Sequence, residues 1–171
     1  TGAHGHAGEI GHLLVRPGGQ RCNVGCDGCL EGISSGGGIA RAATIAMSAG
    51  RASSMSDMTG GDIEAMSAQI VFEAAANGDA LGREIVESVI DAVATGFADI
   101  LNTLDPEYLV VGGAVTGGLQ PYWDELKSLV EDKALPHFKD SVPLHVSPLG
   151  DDVSLIGAAA HAFDLADSRS G

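Results

Sequence analysis

All three cysteines of this chain, Cys22, Cys26 and Cys29, fall within eight positions, and His12 stands ten residues ahead of the first. Three sulfur donors plus one imidazole form the ligand set of a closed, four-coordinate structural zinc site. The bland alternative is three unconnected thiols on a glycine-rich loop. Clustering of every cysteine in one short segment favours the metal. Such a loop has little apolar mass with which to order itself, so a metal would be what orders it. The odd count and tight clustering also argue against a secreted disulfide framework.

With 171 residues and 44% hydrophobic content, the expectation is one compact domain over residues 1–171, with a sizeable core. The formal charge of −14 and only nine dispersed Lys and Arg residues argue against direct contact with nucleic acid by this part, because phosphate binding runs on cations. The apolar runs are too short for a membrane span, and no basic-then-apolar signal opens the chain. A cytoplasmic location, without membrane partners, is the simplest expectation. The chain begins without methionine on the glycine-rich segment Thr1 to Gly8, which reads as a tight loop from within a longer protein.

Leu13-Leu14-Val15 is a short strand candidate ended by Pro17-Gly18-Gly19. A helix is expected from Ile39 to Met47, after three glycines, and then a polar, mobile stretch from Gly50 to Gly61. Asp62 reads as the N-cap of a helix bearing Ile63, Met66, Ile70, Val71 and Ala74. The clearest element runs from Asp79 to Leu104. There Ile85, Val86, Val89, Ile90, Val93, Phe97, Ile100, Leu101 and Leu104 recur at three- and four-residue spacing. Asp105-Pro106 stops it. Tyr108 to Val111 reads as a strand buried on both faces. Leu119 to Leu135 reads as a helix, Val142 to Val146 as a strand, and Val153 to Leu165 as a final helix capped by Asp151-Asp152, with Asp167 to Gly171 fraying. Helices alternating with single strands specify an α/β domain.

A strand running into Gly112-Gly113 and then a helix puts small residues at a strand's carboxyl end, where open α/β sheets bind ligands. Backbone N–H groups there can approach a phosphate, although a strand–Gly-Gly–helix junction is more often only a tight turn. It is not a Walker loop, and Gly112 to Gly117 lacks the dinucleotide-binding spacing. Glu9, His12 and Glu31 are the polar groups nearest the cysteines. Carboxylates and a neutral imidazole suit the vicinal hydroxyls of a sugar, simple solvation being the alternative for either glutamate. His137, His145 and His161 have no cysteine or carboxylate pattern around them and read as surface or satisfied core residues. No Gly-x-Ser-x-Gly elbow offers a nucleophile.

Gly8-Glu9-Ile10-Gly11-His12, Cys22 to Glu31, Asp105 to Gly113 and Leu149 to Ala159 together resemble, in order, the signatures of the ROK family. That family contains bacterial glucokinases, fructokinases, N-acetylhexosamine kinases and sugar-responsive repressors. The resemblance implies an actin-like, ribonuclease-H-like ATPase fold of two lobes with sugar and nucleotide in the cleft between them, this chain matching the larger C-terminal lobe. It implies that Glu9, His12 and Glu31 bind the hydroxyls of a hexose or amino-hexose. His12 would also hold zinc through its second ring nitrogen, together with the knuckle cysteines. Gly112 and Gly113 would face ATP, with magnesium on its phosphates, and the protein would form a homodimer.

Two departures matter. The family knuckle is Cys-x-Cys-Gly-x-x-Gly-Cys, and its second cysteine position is Val24 here, which leaves Cys26 as the one thiol able to compensate. The family's Asp-x-Gly-Gly-Thr phosphate motif and catalytic aspartate, which precede the Glu-x-Gly-His motif, have no counterpart in these residues. The leading expectation is therefore the C-terminal lobe of an ATP-dependent hexose kinase, inactive alone. The alternatives are the effector lobe of a sugar-responsive repressor and a zinc-stabilised interaction module.

Overall fold

The computed structural model describes residues 2–142 and 144–168. Its organising element is the helix expected from Asp79 onward. Ahead of it come the helices α1 (Leu30–Ser34), α2 (Gly36–Ser48), α3 (Met55–Met58) and α4 (Ala68–Ala76), and α5 itself spans Ala80–Leu104. The Asp79 carboxylate starts α5 by accepting the Gly82 N–H at 2.8 Å. Asp105, in the left-handed region at φ 45°, ends it. Val86, Val89, Ile90, Ala94 and Leu101 are all buried, because α1 and α4 and, further along, α7 (Trp123–Lys133) pack against different stretches of the helix. Burying five such side chains supplies several kcal/mol at roughly 25 cal/mol per Å², which makes α5 the platform for everything else.

Behind α5 lie two short parallel strands, β1 (Leu109–Val111) and β2 (Leu144–Val146), with Leu109 opposite Leu144 and Val111 opposite Val146. The connection between them runs through α6 (Thr116–Leu119), a 3-10 turn at Gln120–Tyr122, and α7. The expected single helix from Leu119 to Leu135 is broken into these pieces because Pro121 has no N–H to give a continuing helix. The strand at Tyr108 to Val111 is not buried on both faces. Leu109 and Val111 pack on the helical core, whereas Val110 is 58% exposed, since the described helices cover only one face of the pair.

Other boundaries moved for local reasons. Leu13-Leu14-Val15 forms no strand, only a single bridge from Leu14 to Cys29, and Val15 and Arg16 both donate N–H bonds to the Gly28 carbonyl instead. Helix α2 begins before Ile39 because the Ser35 hydroxyl accepts the Gly38 N–H at 3.0 Å and draws the three glycines into the first turn. The stretch expected to be mobile contains α3, whose Met55 is fully buried, and Asp79 holds it by accepting from Ser54 N at 2.7 Å. Asp62 caps only a 3-10 turn at Ile63–Ala65, and Ser67 caps α4.

A turn at Gly150–Asp152 leads into α8 (Val153–Ser168). Ser154, His161, Asp164 and Asp167 gather on one side of this helix, and on the other Leu155 and Phe163 are 71% and 72% exposed. The rest of the tail expected to fray, residues 169–171, lies outside the described residues. No described helix is long and apolar enough to cross a membrane.

Asp79 joins two segments, so its loss should be felt in both. Burial opposes its ionisation, but hydrogen bonds from Gly82, Ser54 and Ser53 outweigh that and hold the carboxyl below its ordinary value of 3.8. A carboxylate with a depressed folded-state pKa contributes stability above the unfolded value, and that contribution is lost as pH falls through the folded one. Asp79→Ala should cost about 1 kcal/mol at neutral pH. In urea titrations, its difference from the parent should shrink below about pH 4.

Candidate functional site

The cysteine segment folds into a knuckle fixed mainly by backbone hydrogen bonds. Antiparallel bridges link Leu14 to Cys29 and Arg21 to Asp27. Within them, Cys22 N–H donates to the Cys26 carbonyl at 2.9 Å and Gly25 N–H to the Cys22 carbonyl at 3.2 Å. Gly28 sits at φ 82°, where a Cβ would overlap the Arg16 carbonyl, so neither its conformation nor its surroundings accept another residue. Three polar side chains fasten the knuckle to the helices. Gln20 donates to the carbonyls of Gly32 (2.7 Å) and Gly38 (2.8 Å), Arg41 to the Arg21 carbonyl (2.5 Å), and Arg16 to the Ser88 hydroxyl on α5 (2.6 Å).

This path gathers the donor atoms of His12, Cys22, Cys26 and Cys29 to within 4.8 Å of one another. His12 Nδ1 lies 3.8 Å from Cys26 Sγ. Donors bound tetrahedrally to zinc at about 2.0–2.3 Å stand about 3.5–3.8 Å apart, so the four need only draw in slightly. Val24, by contrast, is 71% exposed at the tip of the loop. The residues present fit a zinc ion, with Cys26 Sγ placed where a fourth donor would stand. Burial opposes ionisation of Cys22, but N–H bonds from Cys26 and Val24, with help from the neighbouring thiols, lower it to about 7. Cys26 is pushed up, chiefly by its bond to Cys22 and then by burial. Without a cation the cluster cannot easily hold several thiolates together.

Cys29 has a second task. Its Sγ accepts the Gly32 N–H at 3.4 Å and caps α1, whose first turn carries Glu31. His12 is the last residue of a 3-10 turn, Ile10–His12, and its Nε2 lies 3.8 Å from Glu31 Oε2. One imidazole therefore faces the thiols with one nitrogen and a half-exposed carboxylate with the other. Glu9 begins the same turn, its carbonyl accepting the His12 N–H at 3.0 Å, and is exposed. The structure thus brings His12 and Glu31 together and leaves Glu9 on the same short turn.

Gly112 and Gly113 end β1 as expected. Gly113 is at φ 113°, and a Cβ on Gly112 would crowd Val153 and Ser147 at 3.1–3.2 Å. The two glycines line a cavity of about 250 Å³ with Thr116, Gly117 and Ser147. Gly117 also lines a larger groove of about 1050 Å³, walled by Gly36, Gly37, Met66, Phe72, Val115 and Tyr122. Sequence reasoning missed this groove, because its walls come from α2, α4, α6 and the turns beside them, which only the fold brings together. A signal was present at Gly117-Gly118, where a Cβ on Gly118 would overlap the Phe72 ring. His145 meets Tyr108 edge-on with ring centroids 6.4 Å apart, and His137 lies tilted against Phe138 at 4.0 Å.

The model of the ROK family matches residues 1–164. The chain belongs to the ROK family. A glucokinase of Halalkalibacterium halodurans is 36% identical over 160 residues, which cover 91% of this chain and 47% of that protein. The N-acetylglucosamine repressor of Escherichia coli O6:H1 is 30% identical over 159 residues, 93% of this chain and 37% of the repressor. Among solved structures, a ROK family glucokinase from Streptomyces griseus in complex with glucose and AMPPNP superposes with a TM-score of 0.72 at 25% identity, over 90% of this chain and 50% of that one. This ROK chain therefore spans half or less of the length of these relatives, and its α/β fold is that of ROK sugar kinases.

Gly28→Ala tests how the knuckle is held. The strained φ and the overlap with Arg16 should cost about 1–3 kcal/mol. Thermal unfolding should report that loss, while Gly36→Ala, which meets nothing within 4 Å, should leave stability within about 0.5 kcal/mol.

Proposed function

We propose that this chain is the larger, C-terminal lobe of an ATP-dependent hexose kinase, contributing sugar, nucleotide and structural metal contacts. The observation that carries the reading is His12, held between the thiol cluster and Glu31. With Nδ1 committed to the cluster, Nε2 carries the proton and donates to a sugar hydroxyl, while the Glu31 and Glu9 carboxylates accept from neighbouring hydroxyls. His12, Cys22, Cys26 and Cys29 would hold zinc, which would order the knuckle and leave the His12 proton on Nε2. The chain's own residues do the recognition.

The cavity at Gly112 and Gly113 would admit phosphates close to backbone N–H groups. The larger groove beside it offers Met66, Phe72 and Tyr122 to the flat face of a purine. Magnesium, bound with the nucleotide, would neutralise charge on the phosphates. The base that deprotonates the sugar hydroxyl would come from an N-terminal lobe outside these residues. The exposed apolar side of α8, with Leu155, Ile156 and Phe163, supports such a lobe, since an apolar stripe of this kind is ordinarily covered. The kinase relative and the glucose complex support the hexose, and a homodimer in the cytoplasm is the assembly we expect.

The repressor relative supports a second reading, in which the same pocket senses an amino-hexose for a DNA-binding segment elsewhere. The phosphate-sized cavity at Gly112 favours the kinase, because a pure sensor needs no backbone approach to phosphate.

Two measurements test this. In the protein as its gene encodes it, Glu31→Ala should weaken glucose binding about ten- to a hundredfold by calorimetry, with metal content unchanged. Unchanged affinity would remove Glu31 from the sugar site. The 171-residue chain alone should show no glucose phosphorylation in a coupled assay. Turnover that scales with its concentration and survives repurification would refute the division of labour.

A further inference from the structure

The knuckle's three cysteines differ in burial. Cys22 and Cys29 are buried, at 6% and 0% exposure, whereas Cys26 is half-buried and is the most exposed residue of the three. Cys26 is also the ligand that departs from the family spacing. Its N–H donates to Cys22 Sγ at 3.3 Å, and its carbonyl accepts the Cys22 N–H at 2.9 Å. That backbone bond holds the two residues opposite each other across the turn, with both sulfurs inside the cluster of donor atoms that lie within 4.8 Å of one another. The loop between them is Asn23-Val24-Gly25, with Gly25 already at φ 101°, so small rotations are open to it. Cys29 is committed elsewhere, its sulfur capping α1 and its backbone bridged to Leu14.

We propose that Cys22 and Cys26 form a peroxide-sensitive pair whose oxidation dismantles the four-donor cluster and releases His12. This inference rests on the metal reading given above. One thiolate of the pair attacks an oxygen of hydrogen peroxide; the O–O bond breaks, hydroxide leaves and a sulfenic acid forms. The other thiolate then attacks that sulfur and expels the second hydroxide. Two thiolates lose two electrons, the peroxide gains two, and both hydroxides take up protons as water. A disulfide offers no thiolate ligand, so His12 and Cys29 alone cannot close a tetrahedral site. A small thiol reductant reverses the step by exchange.

The consequence runs through His12. Once no cation fixes Nδ1, the imidazole can change tautomer and swing away from Glu31, and the sugar contacts loosen. The fold thereby couples the oxidation state of one pair of sulfurs to a carbohydrate site.

The test uses zinc-loaded protein treated with hydrogen peroxide at a few equivalents. Three readouts are taken: released zinc with a chromophoric chelator, peptide mapping of thiols, and recovery with dithiothreitol. The expected result is close to one zinc released per Cys22–Cys26 link, with Cys29 free and zinc rebound after reduction. Cys26→Ser should form no intramolecular link. Zinc retained with all thiols free, or a link to Cys29 in place of Cys26, would overturn the proposal. Absence of zinc before peroxide would instead overturn the metal reading, and the presence or absence of the Cys22–Cys26 link would then decide the switch.

Discussion

The arrangement depends on one imidazole with two neighbours. His12 Nδ1 faces the sulfur of Cys26 and Nε2 faces the carboxylate of Glu31, each at 3.8 Å. A neutral ring has one donor and one acceptor nitrogen, and what binds the first decides what the second does. The same dependence reappears on the other side of the cluster. Cys29 is at once a candidate ligand and the cap of α1, so the sulfur and the carboxylate of Glu31 share a single turn of helix. The thiol cluster and the Glu31 carboxylate are thus two ends of one short mechanical unit.

That unit stands on α5. A knuckle of turns buries little apolar surface and cannot hold ångström positions by itself. Arg16 reaches α5 and Gln20 reaches carbonyls at the α1–α2 junction, while Leu30 and Ile33 of α1 enter the core that α5 organises. The glycine-lined cavity at β1 is supported in the same way. Leu109 and Val111 anchor the strand in the core, which fixes where Gly112 and Gly113 begin. Both sites are loops positioned by a helical platform, the usual division between scaffold and function.

Much of this was legible in the residues. The cysteine spacing pointed to four side chains that the fold does gather, the periodicity of Ile85 to Leu101 named α5, and the ROK signatures named the family that the comparisons then showed. What escaped was set by tertiary contact. Val110 reads like Leu109 and Val111, and only the one-sided helical cover shows that it faces outward. The segment from Gly50 to Gly61 is polar in composition, yet Met55 is buried and Asp79 pins Ser54 from 25 residues away. The large groove has walls from three helices and the turns beside them, with no common motif. Periodicity reports a residue's own element, and it does not report which other element will arrive opposite.

The claim that the thiol cluster acts on sugar through His12 is tested most directly by a double-mutant cycle on glucose affinity. Cys26→Ser, His12→Ala and the double variant are compared with the parent protein as its gene encodes it. If the cluster works by holding the imidazole, Cys26→Ser weakens binding in the parent but adds little once His12 is gone, so the two effects are strongly non-additive. Losses that simply add would contradict the account, because the cysteine and the histidine would then be acting on the sugar independently.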